Sequence, residues 1–235
     1  MARRTPQEIN AGSMADMAFL LLIFFLVTTT MEVDAGIGRN MPLKVDHPIE
    51  DVPVHERDIL RIKANFNDEL RVDDESIKLD ELEEIVTDFY SINIKGDVDP
   101  TLPAYTQITS AMCMTKISEI NQKILESPDN GWLKDELTKW ETKLEICNDL
   151  GGEYQELAPM AIIRLEYQAG TSYGLYIQIQ NTLKKVVNQL RQEKCKAYYN
   201  KDYYTLDPTV QEDILIIEKI RILVPEIIID APIQL

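Results

Sequence analysis

The chain has 235 residues and carries 40 acidic side chains against 24 Lys and Arg, a net charge of −16. That balance argues against wrapping nucleic acid or lying flat on an anionic membrane. A hydrophobic content of 45% is ordinary for a globular protein, which excludes both a disordered chain and a many-span membrane protein.

Residues 1–10 form a short tail with Arg3 and Arg4. Ala11 to Met31 follows as the one stretch with membrane length, about 20 apolar residues being needed to span. Its run from Met17 to Met31 holds no charge, and Asp16 lies one to two turns inside the predicted helix. Three readings are open: a spanning anchor, a cleaved signal peptide and a buried core helix. Asp16 at the edge of the apolar run and the poor cleavage site at Thr28–Glu32 favour the anchor. Arg3 and Arg4 before the helix, with Glu32 and Asp34 after it, place the short tail in the cytoplasm and export the rest.

Residues 32–56 read as an extended, mobile linker, with Gly36, Gly38, Pro42, Pro48 and Pro53. A domain spans 57–235, predicted as α+β with a small β-sheet packed on helices. Ile59–Ala64 and Leu70–Val72 are strands about the turn Asn65–Glu69. Ser76–Ser91 is a helix with Leu79, Leu82, Ile85, Val86 and Phe89 on one face and Asp80 as its N-cap.

Residues 96–159 read as an insertion. Cys113, Ile117, Ile120 and Ile124 form one apolar seam, and Leu133, Leu137, Trp140, Leu144 and Cys147 form another. Ser127–Gly131 is a turn, so the two helices make an antiparallel hairpin. Ala161–Tyr167 is a strand and Tyr173–Tyr198 a long helix. Leu206–Pro208 opens another helix running to Leu223, and Ile227–Ile229 is a final strand after Pro225. That short β-branched strand invites pairing with the sheet of a second copy.

Asp16 is the sharpest candidate site. A carboxylate inside a membrane helix costs roughly 2.5–3.5 kcal/mol at the centre, so such residues carry ions or meet partners. A carboxyl that alternates between neutral and charged forms is a proton carrier, and one helix cannot enclose an ion path, so a multi-span partner is implied. The alternative is an interfacial Asp that complements the helix N-terminus. Asn10 and Ser13 are capping residues, and Ser13 lies one turn before Asp16.

Cys113 and Cys147 lie almost symmetrically about the hairpin turn on the two seams. On an exported, oxidising side they are expected to form a disulfide, the alternative being two small buried hydrophobes. Cys195 has no evident mate. His47 and His55 lack metal-ligand spacing, and no phosphate loop, nucleophile elbow or zinc motif occurs, so neither metal, cofactor nor catalytic role is expected. Trp132 and Trp140 read as packing residues, and the pairs Tyr198–Tyr199 and Tyr203–Tyr204 as surface or core aromatics.

Ile9-Asn10, then Asp16, then Phe19 to Thr28 closely resembles the membrane helix of the ExbD/TolR biopolymer-transport family. Met41-Pro42-Leu43 resembles its Leu-Pro linker motif, and Arg57–Ser91 the start of its periplasmic domain. The resemblance implies a proton-driven motor subunit of the bacterial inner membrane with a periplasmic domain. Two copies would sit inside an ExbB-like ring and pass motion to a TonB-like protein that opens outer-membrane transporters. Asp16 would take and release protons, with Asn10 and Ser13 lining its neighbourhood. A TolR-like output, gripping peptidoglycan for envelope integrity, and a passive anchored binding domain are the other readings. The family's usual Thr-Pro before the Asp is replaced here by Gly12-Ser13, and the exported domain is longer than the simple family form.

Overall fold

Alternation along Ile59–Ala64 buries Leu60, Ile62 and Ala64 and turns Ile59, Arg61 and Lys63 outward, so this strand, β1, has one core face and one wet face. The computed structural model describes residues 11–29, 55–96 and 98–231. The chain divides into two units, Met1–Glu50 and Asp51–Leu235.

In the first unit a single helix, α1, is described over Ala11–Thr29. Met14, Met17 and the residues from Phe19 to Leu26 are all exposed, so α1 is apolar on every side rather than along one stripe. At 1.5 Å per residue it is about 28 Å long, close to the roughly 30 Å of a hydrocarbon core. Among the described residues, however, no helix is long and apolar enough to cross a membrane. The expected end at Met31, the linker up to residue 54, Asn10 and His47 all lie outside the described residues.

The second unit is α+β, as expected. Its main sheet has the order β3-β2-β1-β6-β7. Here β2 is Leu70–Val72, β3 is Glu75–Ile77, β6 is Ile162–Tyr167 and β7 is Ile228–Asp230. β1 pairs antiparallel with β2 and parallel with β6, Ile62 lying beside both Val72 and Leu165. The β1–β2 turn is held by Asn65, whose side-chain oxygen accepts from the N–H groups of Asn67 and Glu69.

Three helices serve this sheet: α2 (Leu79–Ser91), α5 (Tyr173–Tyr199) and α6 (Gln211–Leu223). α5 packs against α2 and α6. Leu82, Val86, Ile179, Leu183, Val186 and Ile220 are fully buried and join the inward sheet residues in one core. Ser172 caps α5 by accepting from the N–H of Leu175 at 3.2 Å.

The hairpin consists of α3 (Ser110–Glu126) and α4 (Gly131–Asp149), and it grows from an antiparallel ribbon of β4 (Tyr105–Thr109) and β5 (Glu153–Leu157). Thr109 caps α3 and Asn130 caps α4. Asn93, buried after α2, donates to the carbonyls of Asp99 and Pro103 and accepts from the N–H of Asp99. This amide braces the chain as it leaves the main domain for the insertion.

Several boundaries differ from expectation. Ser76 belongs to β3, and α2 starts after Lys78, whose N–H donates to Glu81, so Asp80 is not the cap. Leu206–Pro208 precedes α6 rather than opening it, because the Asp207 carboxylate accepts from Thr209 and holds a turn there. The final strand pairs within its own chain: Ile163 donates to Ile227 and Ala231 to Leu165, both at 2.8 Å. One side of β7 is thus taken by β6.

Candidate functional site

Asp16 lies on α1, about 7–8 Å along the axis from Ala11. It is the one ionisable residue of α1 and it is exposed. Ser13 belongs to the same helix, three residues earlier. No acidic residue occupies the first turn and no basic residue the last. The chemistry available here is a single carboxyl on an otherwise apolar rod. Asn10 and the side chain of Ser13 lie outside what the structure describes.

The second unit carries three groups of chemical interest. The outward face of its main sheet gathers cations in an otherwise acidic chain. Arg61 stands beside Arg164, and Lys63 lies between Arg71 and Glu166. Arg164 meets Glu166 at 2.9 Å, Lys63 meets Asp74 at 2.8 Å and Arg61 meets Glu56 at 3.9 Å. The pairs of Lys63 with Asp74 and of Arg61 with Glu56 are open to solvent, so each contributes little to stability. The Lys63 ammonium beside Asp74 holds that carboxyl below its usual range. Strand alternation puts Arg61 and Lys63 on one face of β1, and the β1–β6 register brings Arg164 beside Arg61.

A second group sits at the foot of the hairpin. Cys113 and Cys147 are both fully buried, in one core at the foot of the two hairpin helices. The Cys147 Sγ–H donates to the carbonyl of Ile108 at 3.6 Å. Lys143 and Glu156 pair nearby at 2.8 Å, and the Tyr154 hydroxyl reaches Glu156 at 3.5 Å. Burial pushes the Cys113 thiol up to about 11, and burial raises Cys147 as well. Both sulfurs are free thiols in this structure. Cys195 is buried separately on α5.

The third group is a tyrosine cleft at the β7 edge. Tyr176 stacks on Tyr173, ring centroids 6.0 Å apart, and meets Tyr167 edge-on at 5.0 Å. The sequence reading missed this cluster because β6 and the start of α5 contribute separate residues. Of the other aromatics, Trp140 packs on the core while Trp132 is about half exposed. Among the described residues no group of His, Cys, Asp or Glu could hold a metal ion, and His55 is exposed.

Comparison with known proteins gives one match. The family model described as biopolymer transport protein ExbD/TolR covers residues 2–191, which includes α1, the hairpin and most of α5. No curated protein and no solved structure matches the chain.

Proposed function

Because the chain belongs to the ExbD/TolR family of biopolymer-transport proteins, we propose that it is a proton-driven, energy-transducing subunit of a bacterial inner membrane. In this reading α1 is a single membrane span, the tail before it is cytoplasmic and the Asp51–Leu235 unit is periplasmic. Asp16 takes a proton from one side and releases it to the other. Each proton crossing 100 mV provides about 2.3 kcal/mol, enough to drive a conformational step in a partner. The partners are an ExbB-like multi-span ring, a TonB-like protein and a second copy of this chain, and the output is transport across the outer membrane.

One observation carries the reading: a lone ionisable side chain on a helix that is apolar on every side. A structural cap does not need an apolar surround, whereas a proton carrier inside lipid does. The passive anchor is accordingly the weaker alternative.

A second reading has its own support. The cationic sheet face of Arg61, Lys63, Arg71 and Arg164 suits a polymer bearing carboxylates, as peptidoglycan does. That favours a TolR-like subunit holding the cell wall. Co-sedimentation of the full chain with purified sacculi separates the outputs, retention lost on reversing Arg71 and Arg164 supporting the wall-binding one.

The primary test is Asp16→Asn in the native host, with proton-motive-force-dependent uptake through outer-membrane transporters as the readout. Loss of uptake at normal protein abundance supports the motor. Full uptake in a strain with no paralogous subunit rejects it.

A further inference from the structure

We propose that Cys113 and Cys147 are joined by a disulfide that staples the foot of the helical hairpin, and that the bond is made before the domain closes around it. The proposal rests on the periplasmic placement of this unit, where disulfides form and persist.

The geometry carries the pairing. Cys113 lies in the first turn of α3 and Cys147 near the end of α4, the two ends that meet beside the β4–β5 ribbon. Both side chains are fully buried in the same core, and the Cys147 thiol donates to the carbonyl of Ile108 on the strand that leads into α3. Two buried thiols contribute little as hydrogen-bonding groups, since the S–H group is a weak donor and a weak acceptor. A covalent bond between them closes the loop formed by residues 114–146, which removes freedom from the unfolded chain. The hairpin needs such a staple. Its far end exposes Leu125 and Trp132, while its foot holds Cys113, Ile146 and Cys147 in the core. Cys195 is not a rival partner by position: it lies in the last turns of α5, outside the hairpin.

Burial also sets the order of events. The nucleophile in thiol–disulfide exchange is the thiolate. A thiol pushed to about 11 by burial is almost wholly protonated at neutral pH, and no oxidant reaches it inside the core. The bond therefore forms while the foot of the hairpin is still open.

The chemistry balances as an exchange. One cysteine loses its proton and attacks a sulfur of an oxidant of the protein-disulfide or small-molecule-disulfide class. The oxidant's S–S bond breaks, its other sulfur leaves as a thiolate and a mixed disulfide forms. The second cysteine, deprotonated in turn, attacks its partner's sulfur and releases the remaining oxidant thiolate. Two S–H bonds of this chain give one S–S bond, and the oxidant takes up two electrons and two protons.

The test uses the full chain in its native membranes. Thiols are trapped by acid, the protein is denatured, and free thiols receive a mass-adding maleimide before or after reduction. The expected result is a single tag before reduction, lost in Cys195→Ser, and three after it. Cys113→Ser and Cys147→Ser should each show two tags before reduction. Reductant applied to the folded protein should leave the tag number unchanged, and reductant with denaturant should raise it. Three tags before reduction, or protection that includes Cys195, overturns the pairing. Opening of the bond by reductant in the folded state overturns the sealed-before-closure order. External protease on spheroplasts is run in parallel. Free thiols on a domain cut from outside reject the disulfide alone, whereas a domain cut only after lysis rejects the periplasmic placement and the disulfide with it.

Discussion

Arg191 projects from α5 so that its Nε donates to the carbonyl oxygen of Val224, 3.1 Å away, at the end of α6. The pair is buried, and the Tyr90 hydroxyl donates to the next carbonyl, that of Pro225, at 2.9 Å. Pro225 disfavours helical backbone at Val224, so the helix stops there, and two side chains from different helices take up the carbonyls of Val224 and Pro225 beyond its end. This arrangement aims the chain into β7. Arg191→Met should cost about 2 kcal/mol by stranding a buried carbonyl. Denaturant unfolding of the full chain in detergent checks it, and Tyr90→Phe should cost about 1 kcal/mol by the same measure.

Asp16→Asn keeps the shape of the side chain and removes its ability to carry charge. Energised uptake should fall at least about tenfold, the loss of a required proton step, with abundance unchanged. Ser13→Ala should fall by less, since a neighbouring hydroxyl orients a carboxyl without carrying its proton. Uptake assays with immunoblotting of membranes measure both.

Lys143 and Glu156 are each about four-fifths buried as side chains, at 19% and 20% exposure, where a lone charge is costly. Lys143→Met should destabilise by about 2 kcal/mol, because Glu156 is left with the Tyr154 hydroxyl alone. Lys143→Met combined with Glu156→Leu should recover most of that loss. Thermal melts of the single and double variants decide the point. A double variant as weak as the single one would mean that packing, not the stranded charge, sets the cost.

Alkaline pH should weaken the fold. Burial pushes the Tyr105 phenol up to about 12 from an ordinary 10.0, and burial raises Tyr90, Tyr154 and Tyr199 too. An unfolded tyrosine releases its proton near 10 while the folded one still holds it. Stability from these groups is therefore complete below about pH 10 and lost as pH rises toward 12. The tyrosines should leave melting temperature flat to about pH 9.5 and lower it steeply above that, while any buried thiol left free starts the fall from about pH 9. Tyr105 also donates its hydroxyl to the carbonyl of Tyr90. Tyr105→Phe should lower the melting temperature at neutral pH and flatten the alkaline slope.

The contrast between α3–α4 and the β4–β5 ribbon shows where sequence reading stops. The seams through Ile117, Ile120, Leu133 and Leu144 and the turn at Ser127–Gly131 gave the hairpin directly, because helical periodicity and turn chemistry are local. Tyr105–Thr109 carries only weak alternation, and its partner Glu153–Leu157 lies beyond both helices, so neither strand announces itself. α2 began later than expected because Ser76, a good cap by residue type, was drawn into pairing with Arg71. For the candidate sites, Asp16 was legible at once, since a charge in an apolar run is a local anomaly. The cations of the sheet face were not, because Arg61 and Arg164 meet only through the β1–β6 register.

By itself the sequence determined what depends on neighbours along the chain: the helix that carries Asp16, the hairpin, the long α5 and the resemblance to a family of membrane energy transducers. Helical hydrogen bonds join residues four apart, so their pattern is written in short windows. Only the tertiary structure decided which strand pairs with which, that β7 joins its own sheet beside β6, and that Arg61 stands beside Arg164. Those outcomes turn on contacts between distant segments, where burial of a shared core selects one arrangement among many that local preference allows.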